Sequence, residues 1–259
     1  MSFTIVIPAR VDSTRFPGKM AVRVGGRSLL GHTVHAARRV RDDAGLPVPV
    51  YVATDNVLLA DIAYDEGAIP VLTSSSPQNG TERIAEVVEK LGLRGVIVNL
   101  QGDSPLVQSH HILAAVKARN GLDRTIGTIC FPSPVSERKD PDPGRVTAVL
   151  DGRNIARHFT RSKPTYLPPD GVEYLHCGVY AYTPSDLVAY RRTGVREWEQ
   201  REGLEQLRWT WMGWNVACRI MEGESLPPEV NYPEDLDPVR EALVKRVEPL
   251  YLTSEKHDG

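Results

Sequence analysis

Residues 95–103 read GVIVNLQGD, and this stretch decides the fold class. Residues 95–100 are nearly all apolar, which is typical of a central strand that is covered on both faces. The apolar run leads directly into Gln101, Gly102 and Asp103. Asp103 is therefore predicted at the carboxyl end of a central strand, where open α/β sheets bind their ligands.

Short β-branched runs alternate with segments of helical period on both sides of this strand. In the amino-terminal half we predict strands at 3–8, 48–53 and 69–72, and helices at about 28–42, 57–66 and 79–92. The last of these helices has apolar residues at i, i+3, i+4 and i+7, and Asn79 stands where a helix cap is expected. Such alternation predicts an α/β fold with three layers and a doubly wound, mainly parallel sheet.

The composition of the sequence changes after Ile129, where prolines predict loops that include residues 132–143 and 164–169. Further strands are predicted at 145–150, 155–160, 174–182 and 215–220, and further helices at about 197–211 and 233–247. Asp151 and Gly152 suit a two-residue hairpin turn between two of these strands. Because no repeat or long linker divides the chain, we predict a single domain over 1–259 with a distinct subregion at about 132–212.

Composition excludes several classes of protein. The chain has 259 residues, of which 41% are hydrophobic, and its 31 basic and 33 acidic residues leave a net charge of −2. This composition is that of a globular chain, and its charge creates no field that would draw it to nucleic acid or an anionic membrane. We expect neither partner, and a cytoplasmic location, because we find no transmembrane run or signal-like start. Cys130, Cys177 and Cys218 are expected to be reduced and buried.

The loop after the first strand, residues 9–19, reads ARVDSTRFPGK. Arg10, Arg15 and Lys19 with two hydroxyl groups and a glycine could wrap a polyphosphate, because backbone N–H groups and cations both bind phosphate oxygens. A solvated surface turn is the alternative. The loop is not a P-loop, since Ser13 and Met20 stand where that motif needs Gly and Ser or Thr, and it is not GxGxxG.

A carboxylate at the tip of a buried strand needs a compensating partner. Mg²⁺ is one candidate for Asp103, because this ion is usually held by one or two carboxylates with water and substrate phosphates. The other candidate is a helix cap for a segment that starts near Ser109. Both remain open on residue types alone.

Histidines and tryptophans give weaker signals. His176 and Cys177 should point to opposite faces of one strand, so a catalytic thiolate pair is not expected, and a structural histidine is favoured. His110 and His111 are predicted on a helix surface. The tryptophans are predicted to form core or dimer contacts; they are Trp198, Trp209, Trp211 and Trp214.

Several short motifs occur in the order that is typical of one family. They are IPAR (7–10), STR (13–15), PGK (17–19), VATD (52–55), QNGTER (78–83), VNLQGD (98–103), FTR (159–161), HCGVY (176–180), LEQLR (204–208) and PEDL (233–236). Together they resemble the CMP-Kdo synthetases, which are 3-deoxy-manno-octulosonate (Kdo) cytidylyltransferases, over nearly the whole chain. Their shared order makes coincidence improbable.

The resemblance implies a nucleotidyltransferase of Rossmann-like fold that joins CMP from CTP to a small acidic acceptor and releases pyrophosphate, with Mg²⁺. It also implies a homodimer, in which the β-rich subregion would form the interface and the acceptor side. The reaction needs positioning and positive charge more than a protein nucleophile.

The resemblance also assigns residue roles. Arg10, Lys19 and Asp103 would act at the reacting phosphate, and Asp103 and Asn231 would hold the metal. CTP would be bound by Ala9, Arg10, Ser13, Thr14, Arg15, Lys19, Thr54, Thr73, Gln78, Gly80, Arg83 and Gln101. The acceptor would be bound by Gln101, Arg161, His176, Tyr180, Glu205 and Gln206.

Two departures from the family pattern concern charge. Asn231 stands where the family usually has a metal-binding Asp, and Ser104 stands where it has an acidic residue. Two charges about 5 Å apart repel by roughly 3 kcal/mol at an effective dielectric constant near 20. A less acidic site would therefore suit a more highly charged acceptor, and a phosphonate such as phosphonoformate is weighed against a Kdo-like sugar acid. A CTP-binding pseudoenzyme that acts as a sensor or scaffold is the alternative from another class.

Overall fold

The structure is a computed structural model that describes residues 2–11, 13, 15–137, 144–162 and 171–251, with side chains as far as Lys245. The predicted loop prolines at 141, 143, 164, 168 and 169 lie outside these residues, and so does Thr14. No helix within the described ranges is long and apolar enough to span a membrane.

A nine-stranded sheet organises the chain, and its strand order is β5-β4-β1-β6-β10-β7-β11-β9-β8. The strands of this sheet are β1 (Phe3–Ala9), β4 (Val50–Thr54), β5 (Ile69–Leu72), β6 (Val96–Leu100), β7 (Thr125–Pro134), β8 (Thr147–Leu150), β9 (Ile155–Thr160), β10 (Val172–Tyr182) and β11 (Asn215–Ile220). A small separate hairpin is formed by β2 (Arg23–Val24) and β3 (Arg27–Ser28). Together with the helices named in the next paragraph, this sheet confirms the predicted α/β class.

Helices cover both faces of this sheet. They are α1 (Leu29–Ala44), α2 (Val57–Asp65), α3 (Gly80–Leu91), α4 (Ser109–Ala118), α5 (Pro184–Thr193), α6 (Glu197–Glu202), α7 (Leu207–Trp211) and α8 (Leu236–Tyr251). Successive residues of β6 alternate between two cores: Val96 and Val98 pack with α1 and α4, and Ile97 packs with α3. This alternation produces the three layers that the apolar stretch at 95–100 predicts.

Two halves of the sheet differ in strand direction. Strands β5, β4, β1 and β6 are parallel, whereas β10 joins β6 and β7 in antiparallel fashion. The sheet is therefore mixed, which corrects the prediction of a mainly parallel sheet. Strand β8 pairs with both β9 and β10, so β10, β7, β11, β9 and β8 form a closed ring. Strands β8, β9 and β10 of this β-rich ring lie within the predicted subregion, whereas β11 and most of β7 lie outside it.

The prediction of a loop from residue 132 is wrong at its start, because strand β7 continues through Pro132 to Pro134. Pro132 is tolerated because β11 pairs with β7 only as far as Cys130, and no strand among the described residues continues along that edge of β7. The predicted hairpin at Asp151 is present, but the connection covers four residues: the Asp151 N–H donates to the Ile155 carbonyl at 3.0 Å.

The predicted helix at 197–211 is divided into α6 and α7. Gly203 has φ 62° and caps α6 in the left-handed conformation, which ends a helix and favours glycine. Helix α7 begins four residues later, so Glu205 and Gln206 lie in the turn between the two helices. This break positions both side chains for the site described next.

The core predictions are confirmed for the cysteines and for Trp209, but not for every residue. Cys130, Cys177 and Cys218 are free and buried. Trp209 is completely buried, whereas Trp211 is 54% exposed. The prediction that His110 and His111 both lie on a helix surface is wrong for His111. Its side chain is 1% exposed, and its Nδ1 accepts a hydrogen bond from the N–H of Gln108 at the start of α4.

Candidate active site

A cavity of about 490 Å³ opens at the carboxyl ends of β1 and β6 and extends toward the β-rich ring. Most of the predicted site residues line it: Ala9, Arg10, Ser13, Arg15, Lys19, Gln78, Gly80, Arg83, Gln101, Asp103, Arg161, His176, Tyr180, Glu205, Gln206 and Asn231. They come from segments that are far apart in the chain. The tertiary structure thus brings the predicted nucleotide, metal and acceptor residues together in one cavity.

The loop after β1 folds back over the end of the sheet. Its return is fixed by a hydrogen bond from the Gly18 N–H to the Val11 carbonyl at 3.1 Å, and Gly18 has φ 72°, a conformation that favours glycine. Lys19 follows at once and is 7% exposed. Its Nζ lies 2.5 Å from Asp103 Oδ2 and 2.7 Å from the Val230 carbonyl.

Lys19 therefore ties three segments together: the loop, the end of β6 and the chain before α8. The helix-cap alternative for Asp103 does not apply, because the N-cap residue of α4 is Gln108. The surface-turn alternative for the loop does not apply to Lys19, which is buried against Asp103.

Thr54 and Thr73 support the site from behind, since neither belongs to the described lining of the cavity. The Arg83 guanidinium donates to Thr73 Oγ1 at 2.5 Å and to Asp55 Oδ2 at 2.8 Å. The Thr73 N–H in turn donates to the Thr54 carbonyl at 2.8 Å. These contacts hold Arg83 at the cavity wall with its charge compensated by Asp55.

Glu229 lines the same cavity as Asp103 and was not among the predicted residues. Its Oε1 accepts a hydrogen bond from the Ser104 hydroxyl at 2.9 Å, and the Val230 N–H donates to the Asp103 carbonyl at 3.3 Å. Burial of the carboxylate and then the charge of Asp103 raise the pKa of Glu229 to about 7. A carboxylate two positions before Asn231 was the signal in the sequence that could have found it.

The oxygen donors in this cavity fit a hard divalent cation. Asp103 and Glu229 offer carboxylates, and Asn231 offers an amide oxygen, which Mg²⁺ also accepts. Lys19 supplies a positive charge at Asp103 in the structure as it stands.

Arg15 and Asn231 join the loop to the segment before α8. Nη1 of Arg15 donates to Asn231 Oδ1 at 3.4 Å, and the guanidinium lies 5.6 Å from the centre of the Tyr232 ring. Arg161 lines the same cavity, and burial and then the positive charge of Arg15 lower its pKa. Arg15 and Arg161 therefore both bring positive charge to the cavity.

His176 has a defined protonation state. Thr128 Oγ1 lies 2.7 Å from the Val179 carbonyl, to which it must donate its single proton, and 3.1 Å from His176 Nε2. Nε2 must therefore carry the proton of the imidazole. Burial lowers the pKa of His176 to about 3, so the ring is neutral and Nδ1 is an acceptor.

Glu205 and Gln101 form a second polar group in the cavity. Glu205 Oε2 accepts from the Thr81 N–H at 3.1 Å, and Glu205 Oε1 lies 3.4 Å from Gln101 Nε2. Burial raises the pKa of Glu205, while the hydrogen bonds from Thr81 oppose that shift. Gln101 also donates to Asn99 Oδ1 at 3.2 Å, so its amide orientation is fixed from two sides.

A buried ion-pair network holds the turn that carries Glu205. The Arg208 side chain is fully buried, and its guanidinium contacts Glu199 Oε1 at 2.7 Å and Glu82 Oε1 at 2.8 Å. Because Glu82 belongs to α3, Glu199 to α6 and Arg208 to α7, the network fixes these three helices relative to one another. A fixed turn keeps Glu205 and Gln206 aimed at the cavity.

Fold and site together define an α/β nucleotidyltransferase: a cation-bearing loop after β1 meets an aspartate at the tip of β6. The family model described as cytidylyltransferase matches residues 4–214. The chain belongs to the cytidylyltransferase family, and the resemblance to CMP-Kdo synthetases is confirmed. It is a CTP-dependent transferase by class.

Relatives with curated names agree with this assignment. A 3-deoxy-manno-octulosonate cytidylyltransferase from Coxiella burnetii (strain RSA 331 / Henzerling II) is 35% identical over 93% of this chain and 99% of its own length. One from Chlorobium luteolum is 36% identical over 94% of this chain and 98% of its own length.

Solved structures agree as well. A CMP:2-keto-3-deoxy-manno-octonic acid synthetase complexed with CTP superposes with a TM-score of 0.83 at 29% identity, covering 95% of this chain and all (100%) of that one. A nucleotidyl transferase from Methanothermobacter shares the fold alone, with a TM-score of 0.62 at 14% identity over 95% and 99% of the two chains.

Proposed function

We propose that this protein transfers CMP from CTP to a small acidic acceptor that carries hydroxyl groups, a sugar acid of the Kdo type, and releases pyrophosphate. The observation that carries the proposal is the single cavity that joins the cations of the β1 loop and Asp103 to His176, Glu205 and Arg161. A donor nucleotide and an acceptor could meet there without a further movement of the sheet.

Positive charge in the cavity supports the part of this proposal that concerns CTP binding. Arg10, Arg15 and Lys19 line the cavity beside the carboxyl end of β1. A triphosphate needs compensating charge on binding, and the departing pyrophosphate needs more as the bond to the α-phosphorus breaks. Lys19 is held by Asp103, so its ammonium group is positioned before the nucleotide arrives.

Mg²⁺ belongs to the same proposal. Asp103 and Asn231 are the residues that we expect to hold the ion, and both line the cavity. When bound, Mg²⁺ would neutralise phosphate charge and orient the phosphate oxygens. The remaining work falls to the chain's own groups, which bind the triphosphate and aim the acceptor oxygen at the α-phosphorus.

Hydrogen-bond polarity favours a hydroxyl-bearing acceptor. His176 Nδ1 and the Glu205 carboxylate are acceptors, so they need O–H or N–H donors on the ligand. A sugar acid offers several hydroxyl donors and one carboxylate, for which Arg161 is the natural partner. Phosphonoformate offers acceptor oxygens almost throughout, and Glu229 removes part of the charge argument in its favour.

A direct assay tests the proposal. The protein is given CTP and Mg²⁺ with Kdo or with phosphonoformate, and pyrophosphate release is followed. We expect release with Kdo, at a kcat/KM at least about tenfold above that with phosphonoformate, since unpaired polar groups discriminate strongly. Preference for phosphonoformate would contradict the acceptor class, and no release with either acid would favour a CTP sensor.

The homodimer stays a prediction of this proposal. Light scattering on the purified protein should give about twice the chain mass of 28.7 kDa. A measured mass equal to that of one chain would contradict the homodimer prediction. The subregion at about 132–212 would then have a role other than dimerisation.

A further inference from the structure

Glu229, which lines the cavity, forms a hydrogen-bonded pair with Ser104. The family's acidic residue after QGD is Ser104 in this chain, and the Ser104 hydroxyl donates to Glu229 Oε1 at 2.9 Å although 125 positions separate the two residues. The carboxylate at this point of the cavity is therefore supplied by the segment before α8 rather than by the segment after β6.

The backbone keeps Glu229 beside Asp103. The next residue, Val230, donates its N–H to the Asp103 carbonyl at 3.3 Å, and its own carbonyl accepts from Lys19 Nζ at 2.7 Å. Val230 is completely buried (0% exposed), which anchors this segment in the small core beneath α8. Glu229 and Asn231 flank the anchor, and both line the cavity.

The negative charge at this place favours a bound cation. Two carboxylates in one cavity wall repel each other, and Lys19 is the one ammonium group described against Asp103. The hydrogen bond from Ser104 reaches Oε1 of Glu229, a residue that lines the cavity. A divalent cation would satisfy both carboxylates at once.

We propose that Glu229 is a metal ligand of this chain, that it replaces the charge lost at Asn231, and that Ser104 positions it. The inference rests on the proposed function, because it assumes that Asp103 holds Mg²⁺. Asn231 is the poorer candidate for the second charged ligand, since its amide carries no charge and its Oδ1 is already in contact with Arg15 at 3.4 Å.

Binding of Mn²⁺, read by electron paramagnetic resonance with and without CTP, tests the inference apart from activity. Glu229→Gln should weaken Mn²⁺ binding about tenfold or more, and Ser104→Ala should weaken it by a smaller factor. Asn231→Asp added to Glu229→Gln should restore a large part of the affinity. Glu222→Gln, an exposed change in the same connecting segment, should bind Mn²⁺ like the wild type.

The variant Asp103→Asn distinguishes the role of Glu229 from the metal part of the proposed function. If Glu229→Gln binds Mn²⁺ normally while Asp103→Asn does not, the role of Glu229 is overturned and the metal part of the proposed function stands. If both variants bind Mn²⁺ normally, both are overturned. Thermal melts of each variant identify any loss of folding, and the double variant then decides whether charge at this place matters.

Discussion

The Lys19 ammonium lies 2.5 Å from the Asp103 carboxylate, although 84 residues separate them in the chain. This contact closes the β1 loop onto the tip of β6 and makes the two segments one wall of a cavity. It is the relationship on which a CTP site depends, because phosphate-binding cations must lie beside the group that holds the metal.

Lys19→Gln should weaken CTP binding by about 10- to 100-fold, since a hydrogen bond to a charged group contributes roughly 1.5–3 kcal/mol. Calorimetry with CTP and Mg²⁺ measures the change. Lys117→Gln is the matched control, because Lys117 is exposed on α4 and does not line the cavity. Unchanged CTP affinity in Lys19→Gln would remove the loop from the nucleotide site.

Arg161→Gln should raise the KM for the acid acceptor by about 10- to 100-fold and leave the Kd of CTP nearly unchanged, because a carboxylate loses its charged donor. Steady-state kinetics with the acceptor varied, together with CTP calorimetry, separates the two effects. Arg219→Gln, at an exposed position of β11, is the control. A loss confined to CTP binding would assign Arg161 to the triphosphate instead.

The buried His176 predicts a pH dependence of stability. Its pKa is about 3 in the folded protein and 6.5 as the ordinary value, so between these values the unfolded chain binds a proton that the native chain does not. The free energy of unfolding should therefore fall as pH falls below about 6.5.

Comparison with His176→Gln isolates this effect. From pH 6 to pH 5 the wild type should lose about 1 kcal/mol more of its free energy of unfolding than the variant does, as measured by urea denaturation. His158→Gln, at an exposed position of β9, should follow the wild type. Parallel pH profiles for wild type and His176→Gln would show that the fold does not lower the pKa of His176.

Gly127→Ala should destabilise the fold by about 1–3 kcal/mol or more, because it overpacks a backbone contact. A Cβ at this position of β7 would lie 2.1 Å from the Ala115 carbonyl oxygen and 2.7 Å from the Arg119 nitrogen at the end of α4. Gly152→Ala is the matched control, since a Cβ there meets nothing within 4 Å. Equal denaturation midpoints for the two variants would contradict the close packing of α4 on β7.

Prediction from sequence succeeded where a residue's role follows from its neighbours in the chain. The apolar stretch at 95–100 fixed a central strand, and the period of residues 80–91 fixed α3 with its Asn79 cap. It failed for β7, because whether prolines interrupt a strand depends on where the neighbouring strand ends. It also failed at Gly203, because the helical periodicity of residues 197–211 continues across the glycine that ends α6.

The candidate site divides in the same way. Local motifs and their shared order identified the cations of the β1 loop, Asp103 and the acceptor residues, since each motif carries its own chemistry. Glu229 had only a weak signal in the sequence, its place two positions before Asn231, and its contact with Ser104 across 125 positions is visible only in the structure. Likewise, the tautomer of His176 depends on the Val179 carbonyl that takes the proton of Thr128.

By itself, then, the sequence determined the α/β class, the nucleotide loop and the family, because periodicity and motifs are properties of adjacent residues. Tertiary structure alone decided which carboxylates share one cavity wall, which nitrogen of His176 holds a proton and how the five strands of the β-rich ring close. These features depend on distances between segments remote in the chain, and such distances are fixed only when the whole core packs.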